Sequence, residues 1–224
     1  MTHVVLFDLD GTVLTFEGPP PGPGRTALEL AMLELHAHER GTDGIRVAGG
    51  TDRALARAML TRAGLADHDA AIALLLRSYV GHLEVVLRMR RYRPIGEVAR
   101  AVGALRERGA TVGAATGNLR EGARLKLTSA GLASTFDLEL GAYGDDAEPR
   151  AEIVRLAARR CGMQAGGTLV VVGDTRFDVE AGRAAGARVV GVATDGDAYA
   201  ELEAAGADAI VRECGEELVR AVLA

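Results

Sequence analysis

The apolar positions of this chain fall into two kinds of pattern. Val4-Val5-Leu6-Phe7, Thr111-Val112-Gly113-Ala114-Ala115, Leu169-Val170-Val171-Val172, Val189-Val190-Gly191-Val192 and Ala209-Ile210-Val211 are short unbroken runs of strand length. A run that is apolar at every position suits a strand buried on both faces. Between these runs the period changes to 3.6. Ile95, Val98, Ala99, Val102 and Leu105 make one helix face closed by Gly109. A second helix is predicted from about Arg120 to Ala130, stopped by Gly131, and a third from Pro149 to Arg160 with Ile153, Leu156 and Ala157 inward. The stretch Phe136 to Leu140 reads as a further strand. Strands alternating with helices of this length predict an α/β fold: a parallel sheet with helices on both faces.

One long block interrupts the alternation. From Thr26 to about Arg91 the pattern is helical throughout, with Leu28, Ala31, Met32 and Leu35 on one face. Leu55, Met59 and Leu60 follow a cap at Thr51 or Asp52 and end at Gly64; Ile72, Leu75, Leu76, Tyr79, Val80, Leu83 and Val86 continue the period. Ahead of it lies Glu17-Gly18-Pro19-Pro20-Pro21-Gly22-Pro23-Gly24, which suits neither a helix interior nor a central strand. The expected division is an α/β core of residues 1–14 and 94–224 and an all-α insertion of residues 15–93.

Charge and composition narrow the function classes. With 224 residues and a net charge of −5, the chain carries no electrostatic footprint for nucleic acid. Twenty-five of its 26 basic residues are arginine, and Lys126 is the one lysine. Cys161 and Cys214 lack metal-ligand spacing and read as buried thiols in a reducing compartment. No apolar run approaches the roughly 20 residues needed to cross a bilayer. A soluble cytoplasmic protein without membrane or nucleic-acid partner is the expectation. Oligomeric state is open.

The chemistry gathers at three strand ends. Asp8 and Asp10 close the first run and, two apart in a strand, point to one side. Two carboxylates that close oppose each other's ionisation unless a cation such as Mg2+ neutralises them. Thr116-Gly117-Asn118 closes the second run, and Gly173-Asp174-Thr175-Arg176-Phe177-Asp178 the third. Ligands of open parallel sheets bind beyond the carboxyl ends of the strands.

Asp8-Leu9-Asp10-Gly11-Thr12, Thr116-Gly117-Asn118 and Gly173-Asp174-Thr175 with Asp178, in this order, resemble the motifs of the haloacid dehalogenase-like hydrolases. The resemblance implies a Rossmann-like core with a helical cap domain inserted after the first strand. Gly49-Gly50-Thr51-Asp52 is similar to the cap segment of the phosphoglycolate phosphatase-like branch, where a basic residue often stands at the place of Gly50. It also implies roles. Asp8 would be the nucleophile forming an aspartyl-phosphate, and Asp10 the acid and base. Thr116, with the amides of Gly117 and Asn118, would hold the phosphoryl group. Asp8, the Asp10 carbonyl and Asp174 would hold Mg2+, and Asp178 would orient the metal's waters or a basic group. The family's usual lysine, near the start of the helix before the strand that ends at Gly173-Asp174, is absent. Arg150, after Glu148-Pro149, and Lys126 are the candidates to neutralise the phosphoryl charge, and Lys126 is placed first.

The implied activity is a Mg2+-dependent phosphatase for a small phosphorylated metabolite, phosphoglycolate-like or a sugar phosphate. A phosphosugar mutase of the same superfamily shares every core motif. A non-catalytic module that kept the fold is the reading from outside enzymology; Asp8, Asp10 and Asp174 speak against it.

Overall fold

A computed structural model describes residues 2–45 and 49–224. The chain runs β1 (His3–Phe7), β2 (Leu14–Phe16), α1 (Pro23–His36), α2 (Asp52–Arg62), α3 (Asp69–Val86) and β3 (Tyr92–Pro94). It continues with α4 (Val98–Glu107), β4 (Ala110–Ala114), α5 (Arg120–Ser129), α6 (Arg150–Arg160), β5 (Thr168–Gly173) and α7 (Arg176–Ala184). The last elements are β6 (Arg188–Val192), α8 (Gly196–Ala205), β7 (Ala209–Val211) and α9 (Glu216–Leu223).

Five strands form one parallel sheet in the order β4-β1-β5-β6-β7. The first strand is therefore interior, paired to β4 from His3↔Ala110 and to β5 from His3↔Thr168. Its side chains alternate between two cores. Val4 and Leu6 join the cluster that holds Ile153 and Ala157 of α6 and Val179 of α7. Val5 and Phe7 join the cluster on the other face, with Val98 and Val102 of α4 and Leu218 of α9. Burial on both faces is what the unbroken apolar run demands.

The same second cluster continues into α1, α2 and α3 through Leu28, Met32, Met59, Leu60, Ile72, Leu75, Tyr79 and Leu83. Each such side chain contributes about 1.5–3 kcal/mol on burial. Thr51 caps α2, its side chain accepting the Ala54 N–H at 3.1 Å. The segments leading into and out of these helices are not simple loops: β2 and β3 pair antiparallel, Leu14↔Pro94 to Phe16↔Tyr92. Arg90 binds the carbonyls of Pro21 and Pro19 at 2.7 and 2.5 Å, tying the proline-rich segment to the end of the return path.

Two expectations need correction. Phe136 to Leu140 is not a strand. Its alternation imitates a period of two, but Asp137 accepts the Glu139 N–H and starts a 3-10 turn, Leu138–Leu140. Phe136 packs on Phe7 with ring centroids 5.8 Å apart, and the sheet edge meets only a single bridge, Ala115↔Ala142. On α4, Ala99 is exposed and Ala101 buried.

Both cysteines are free and buried. Burial pushes the Cys161 thiol up to about 11 and that of Cys214 up to about 12. Among the described residues no helix is long and apolar enough to cross a membrane.

Candidate active site

Three adjacent strands deliver the polar residues. The Asp8 N–H still donates to Val172 O at 2.9 Å, so its carboxylate leaves from the last rung of the ladder beside β5. Gly11 then turns the chain at a φ of +82°, a left-handed conformation that glycine adopts without strain. Its lack of a side chain matters for a second reason: a Cβ there would stand 2.0 Å from Asp174 Oδ2. Thr12 donates to the other Asp174 oxygen at 3.0 Å.

Beyond β4, Thr116 is fully buried and its hydroxyl oxygen accepts from the Asn118 side chain at 2.8 Å. The same amide group of Asn118 donates to Asp10 Oδ2 at 2.8 Å. Lys126 reaches back from the second turn of α5 to bond Asp10 Oδ2 at 2.5 Å and the Asn118 carbonyl oxygen. Lys126 is 4% exposed and lies over the ring of Tyr92. Burial works against its charge, but Asp10, the two tyrosines Tyr92 and Tyr79, and Asp52 more than offset it and hold the ammonium above the usual lysine range. The amides that open α5 are already satisfied: Leu119 N–H by Asp52 Oδ2 at 2.8 Å and Arg120 N–H by Asp145 Oδ2 at 2.7 Å. The Asn118 N–H turns to Thr116 at 3.3 Å.

Beyond β5, Thr175 and Asp178 form a reciprocal cap on α7. Both oxygens of Asp178 are occupied. Oδ2 accepts from the Thr175 backbone and hydroxyl at 3.0 and 2.6 Å, and Oδ1 from Arg150 Nε and Nη2 at 3.0 and 2.5 Å. Arg150 Nη2 also lies 2.8 Å from Asp8 Oδ1. The sequence ranked Lys126 ahead of Arg150; in the fold it is Arg150 that pairs with Asp8, and Lys126 that pairs with Asp10.

The electrostatics follow from burial. Desolvation pushes the Asp8 carboxyl up to about 6, opposed by Arg150 and the Thr116 hydroxyl and assisted by Asp178 and Asp10. Asp174 is driven well above the carboxylate range by burial and by repulsion from Asp178 and Asp8. Asp8, Asp174 and Asp178 offer oxygens within 4.8 Å of one another. Carboxylate oxygens at this spacing suit a hard divalent cation. Since Asp178 has no oxygen to spare, the donors left to face such an ion are those of Asp8 and Asp174.

The helical segment closes the site from above. Asp52 N–H donates to Gly117 O at 2.8 Å, and Arg150 Nη1 to Gly49 O at 3.2 Å. Gly117 has no room for a side chain: its Cβ would fall 2.2 Å from Gly50 O. Arg57 grips Glu148 at 3.1 and 3.3 Å just ahead of Arg150. The cavity so enclosed measures about 410 Å³ and is lined by Asp8, Asp10, Thr116, Lys126, Arg150 and Asp174 below and by Phe16, Leu28, Leu55, Tyr79 and Asp52 above.

Residues 2–186 match the family described as a haloacid dehalogenase-like hydrolase. The chain belongs to that family. Among curated proteins it is similar to the probable phosphatase IndB of Dickeya dadantii (strain 3937), 30% identical over 213 residues, covering 94% of this chain and 90% of the relative. Among solved structures it resembles CbbY of Rhodobacter sphaeroides in complex with xylulose-(1,5)bisphosphate, with a TM-score of 0.75, 19% identity and 96% coverage of both chains. A hydrolase from Pseudomonas syringae superposes with a TM-score of 0.73 at 21% identity, covering 97% of this chain and 96% of that one. These two likenesses speak to the fold.

In this haloacid dehalogenase-like hydrolase the fold brings Asp8, Asp10, Thr116, Asn118, Lys126, Arg150 and Asp174 around one cavity, with Asp178 bonded to Arg150 behind it. Sequence reasoning missed Tyr92, whose phenol is pushed up by burial and by Asp10. It read Asp52 as a capping residue and, by resemblance, as part of the cap segment Gly49-Gly50-Thr51-Asp52, but gave it no partner in the core. The signal for Asp52 was its place beside Gly49-Gly50, since two glycines ahead of a helix admit a close backbone approach.

Proposed function

We propose that this chain is a Mg2+-dependent phosphatase acting on a small phosphomonoester through an aspartyl-phosphate. The observation that carries the reading is the division of labour between two buried cations. Arg150 faces Asp8 and Lys126 faces Asp10, so the two aspartates of one motif stand in different electrostatic surroundings. Groups given different environments are suited to different roles in acid–base chemistry.

Asp8 attacks phosphorus in line, a new P–O bond forms to its carboxylate, and the P–O bond to the leaving alcohol breaks. Asp10 delivers its proton to that departing oxygen. Water then attacks the aspartyl-phosphate, Asp10 takes the water proton, and cleavage of the bond to Asp8 restores the carboxylate. Arg150 and the Thr116 hydroxyl balance charge on the transferred oxygens. Asn118 and Lys126 fix the orientation of Asp10 through their shared bonds to Oδ2. Asp8 and Asp174, with the Asp10 carbonyl implied by the family resemblance, would hold Mg2+. When bound, Mg2+ supplies charge neutralisation and alignment for the nucleophile and the phosphoryl oxygens.

The test is Mg2+-dependent phosphate release from a panel of small phosphomonoesters, with Asp8→Asn beside the unaltered protein. Release that disappears with chelator and with Asp8→Asn supports the reading. Release that persists in Asp8→Asn overturns the nucleophile. Conversion of a sugar phosphate to its isomer without release of phosphate replaces the phosphatase by a mutase.

A further inference from the structure

The half of the cavity that would receive the leaving alcohol has a chemistry of its own. Leu28, Leu55 and Tyr79 give it an apolar wall. Its positive groups are matched. Lys126 is bonded to Asp10 and Asn118, and Arg25 is paired with Glu29 and Asp43, each at 3.1 Å. Asp52 enters the same wall as a carboxylate held in place. Its backbone N–H is bound by Gly117 O and its Oδ2 by the Leu119 N–H, both at 2.8 Å. Its carboxylate cannot swing aside without breaking the Leu119 bond, the backbone bond to Gly117 fixes where the side chain starts, and Gly117 packs directly beneath the segment.

We propose that Asp52 is a specificity-determining residue, selecting phosphomonoesters whose leaving alcohol is neutral or cationic and disfavouring those that carry a second anionic group. This rests on the phosphatase reading and deepens it. A fixed carboxylate in a poorly hydrated wall offers an acceptor to a hydroxyl or ammonium. It repels a carboxylate or a second phosphate, because like charges brought together out of water are costly. Of the phosphorylated metabolites the family resemblance suggested, phosphoglycolate is therefore the disfavoured class.

Three two-carbon phosphates of nearly equal size isolate the charge: 2-phosphoglycolate, 2-hydroxyethyl phosphate and phosphoethanolamine. At about pH 8, where a carboxyl titrating near 6 is ionised, the unaltered protein should turn over the last two with kcat/KM at least about tenfold above 2-phosphoglycolate. Asp52→Asn keeps an oxygen for the Leu119 N–H and removes the charge. It should raise 2-phosphoglycolate relative to 2-hydroxyethyl phosphate by about tenfold, equivalent to roughly 1.4 kcal/mol. A purely structural role for Asp52 would lower all three in the same proportion, and that result overturns the inference. So does an unaltered enzyme that prefers 2-phosphoglycolate, a result that needs no variant to fold. Phosphate release with an unchanged ranking overturns selection by Asp52 and leaves the phosphatase standing. No Mg2+-dependent release from these three or from p-nitrophenyl phosphate overturns both.

Discussion

Arg150 stands with one guanidinium nitrogen 2.8 Å from Asp8 and 2.5 Å from Asp178, and with another 3.2 Å from the Gly49 carbonyl. One side chain thus links Asp8, the cap of α7 and the helical segment above. Its planar fork makes this possible; a lysine ammonium, a point charge, cannot hold the three in the same geometry.

Removing it should therefore damage stability and turnover together. Arg150→Ala leaves Asp8 and Asp178 buried without their partner, a loss of about 3–5 kcal/mol for a broken buried pair. Arg150→Lys should recover much of the stability and little of the turnover, with kcat remaining about a hundredfold below the unaltered protein. Chemical denaturation alongside steady-state kinetics separates the two. Full recovery of kcat by lysine would show that only charge is required.

Lys126 should behave differently. It touches Asp10 and Asn118, so Lys126→Met is expected to lower kcat by about a hundredfold with little change in KM. Single-turnover kinetics should show both formation and breakdown of the covalent intermediate slowed, since the proposed mechanism uses Asp10 in both. A change confined to KM would assign Lys126 to substrate binding instead.

Metal binding can be read without turnover. Mg2+ should raise the melting temperature, by the equivalent of about 2.7 kcal/mol at a hundredfold excess over its dissociation constant. Asp174→Asn should abolish the rise. Gly11→Ala should weaken it severely, because the added methyl occupies the position of Asp174 Oδ2 in a backbone conformation that alanine adopts only under strain. A normal Mg2+ response in Gly11→Ala would mean that Asp174 is not a ligand.

Asp52 also predicts a pH dependence of stability. Burial raises its carboxyl from the unfolded value of 3.8 to about 6, against Lys126 and the Leu119 N–H, which lower it. The folded state therefore binds the Asp52 proton more tightly. Its stabilising share is complete below the unfolded value and is lost as pH rises through the folded one. Between about pH 4 and pH 7 the melting temperature of the unaltered protein should fall relative to that of Asp52→Asn. Parallel curves for the two proteins would place the Asp52 carboxylate in water.

Much of this fold is legible in the chain because its strands are buried on both faces. Such strands must be apolar at every position, and the runs at Val4, Leu169 and Val189 announce themselves. Where the rule weakens, so does the reading. Phe136-Asp137-Leu138-Glu139-Leu140 alternates as a half-buried strand does, yet a single aspartate side chain captures a backbone N–H and tightens the segment into a turn. Leu14–Phe16 and Tyr92–Pro94 are three residues each, too short for any period to show, and they find each other only because the helices between them bring their ends together.

The site was legible in its acids and less so in its cations. Aspartates at strand ends are fixed by the ladder that carries them. Arg150 and Lys126 arrive on long side chains from helices, and which carboxylate each reaches depends on helix placement that sequence spacing does not specify. The reach of Asp52 into the core was hidden by its competence as a helix-start residue: its bond to Leu119 joins segments 67 positions apart.

The order β4-β1-β5-β6-β7 gives the strands unequal mechanical standing. Asp8 and Asp174 leave from β1 and β5, each of which is paired to a neighbour on both sides. The Thr116-Gly117-Asn118 loop follows the outermost strand and is tied in by side chains and by the helical segment: Asn118 bonds Asp10 and Lys126, and Gly117 O accepts the Asp52 N–H. The proposed nucleophile and cation donors are thus carried by interior strands of the sheet. The loop proposed to hold the phosphoryl group follows the edge strand instead, so a shift there leaves the backbone that carries Asp8 and Asp174 in place.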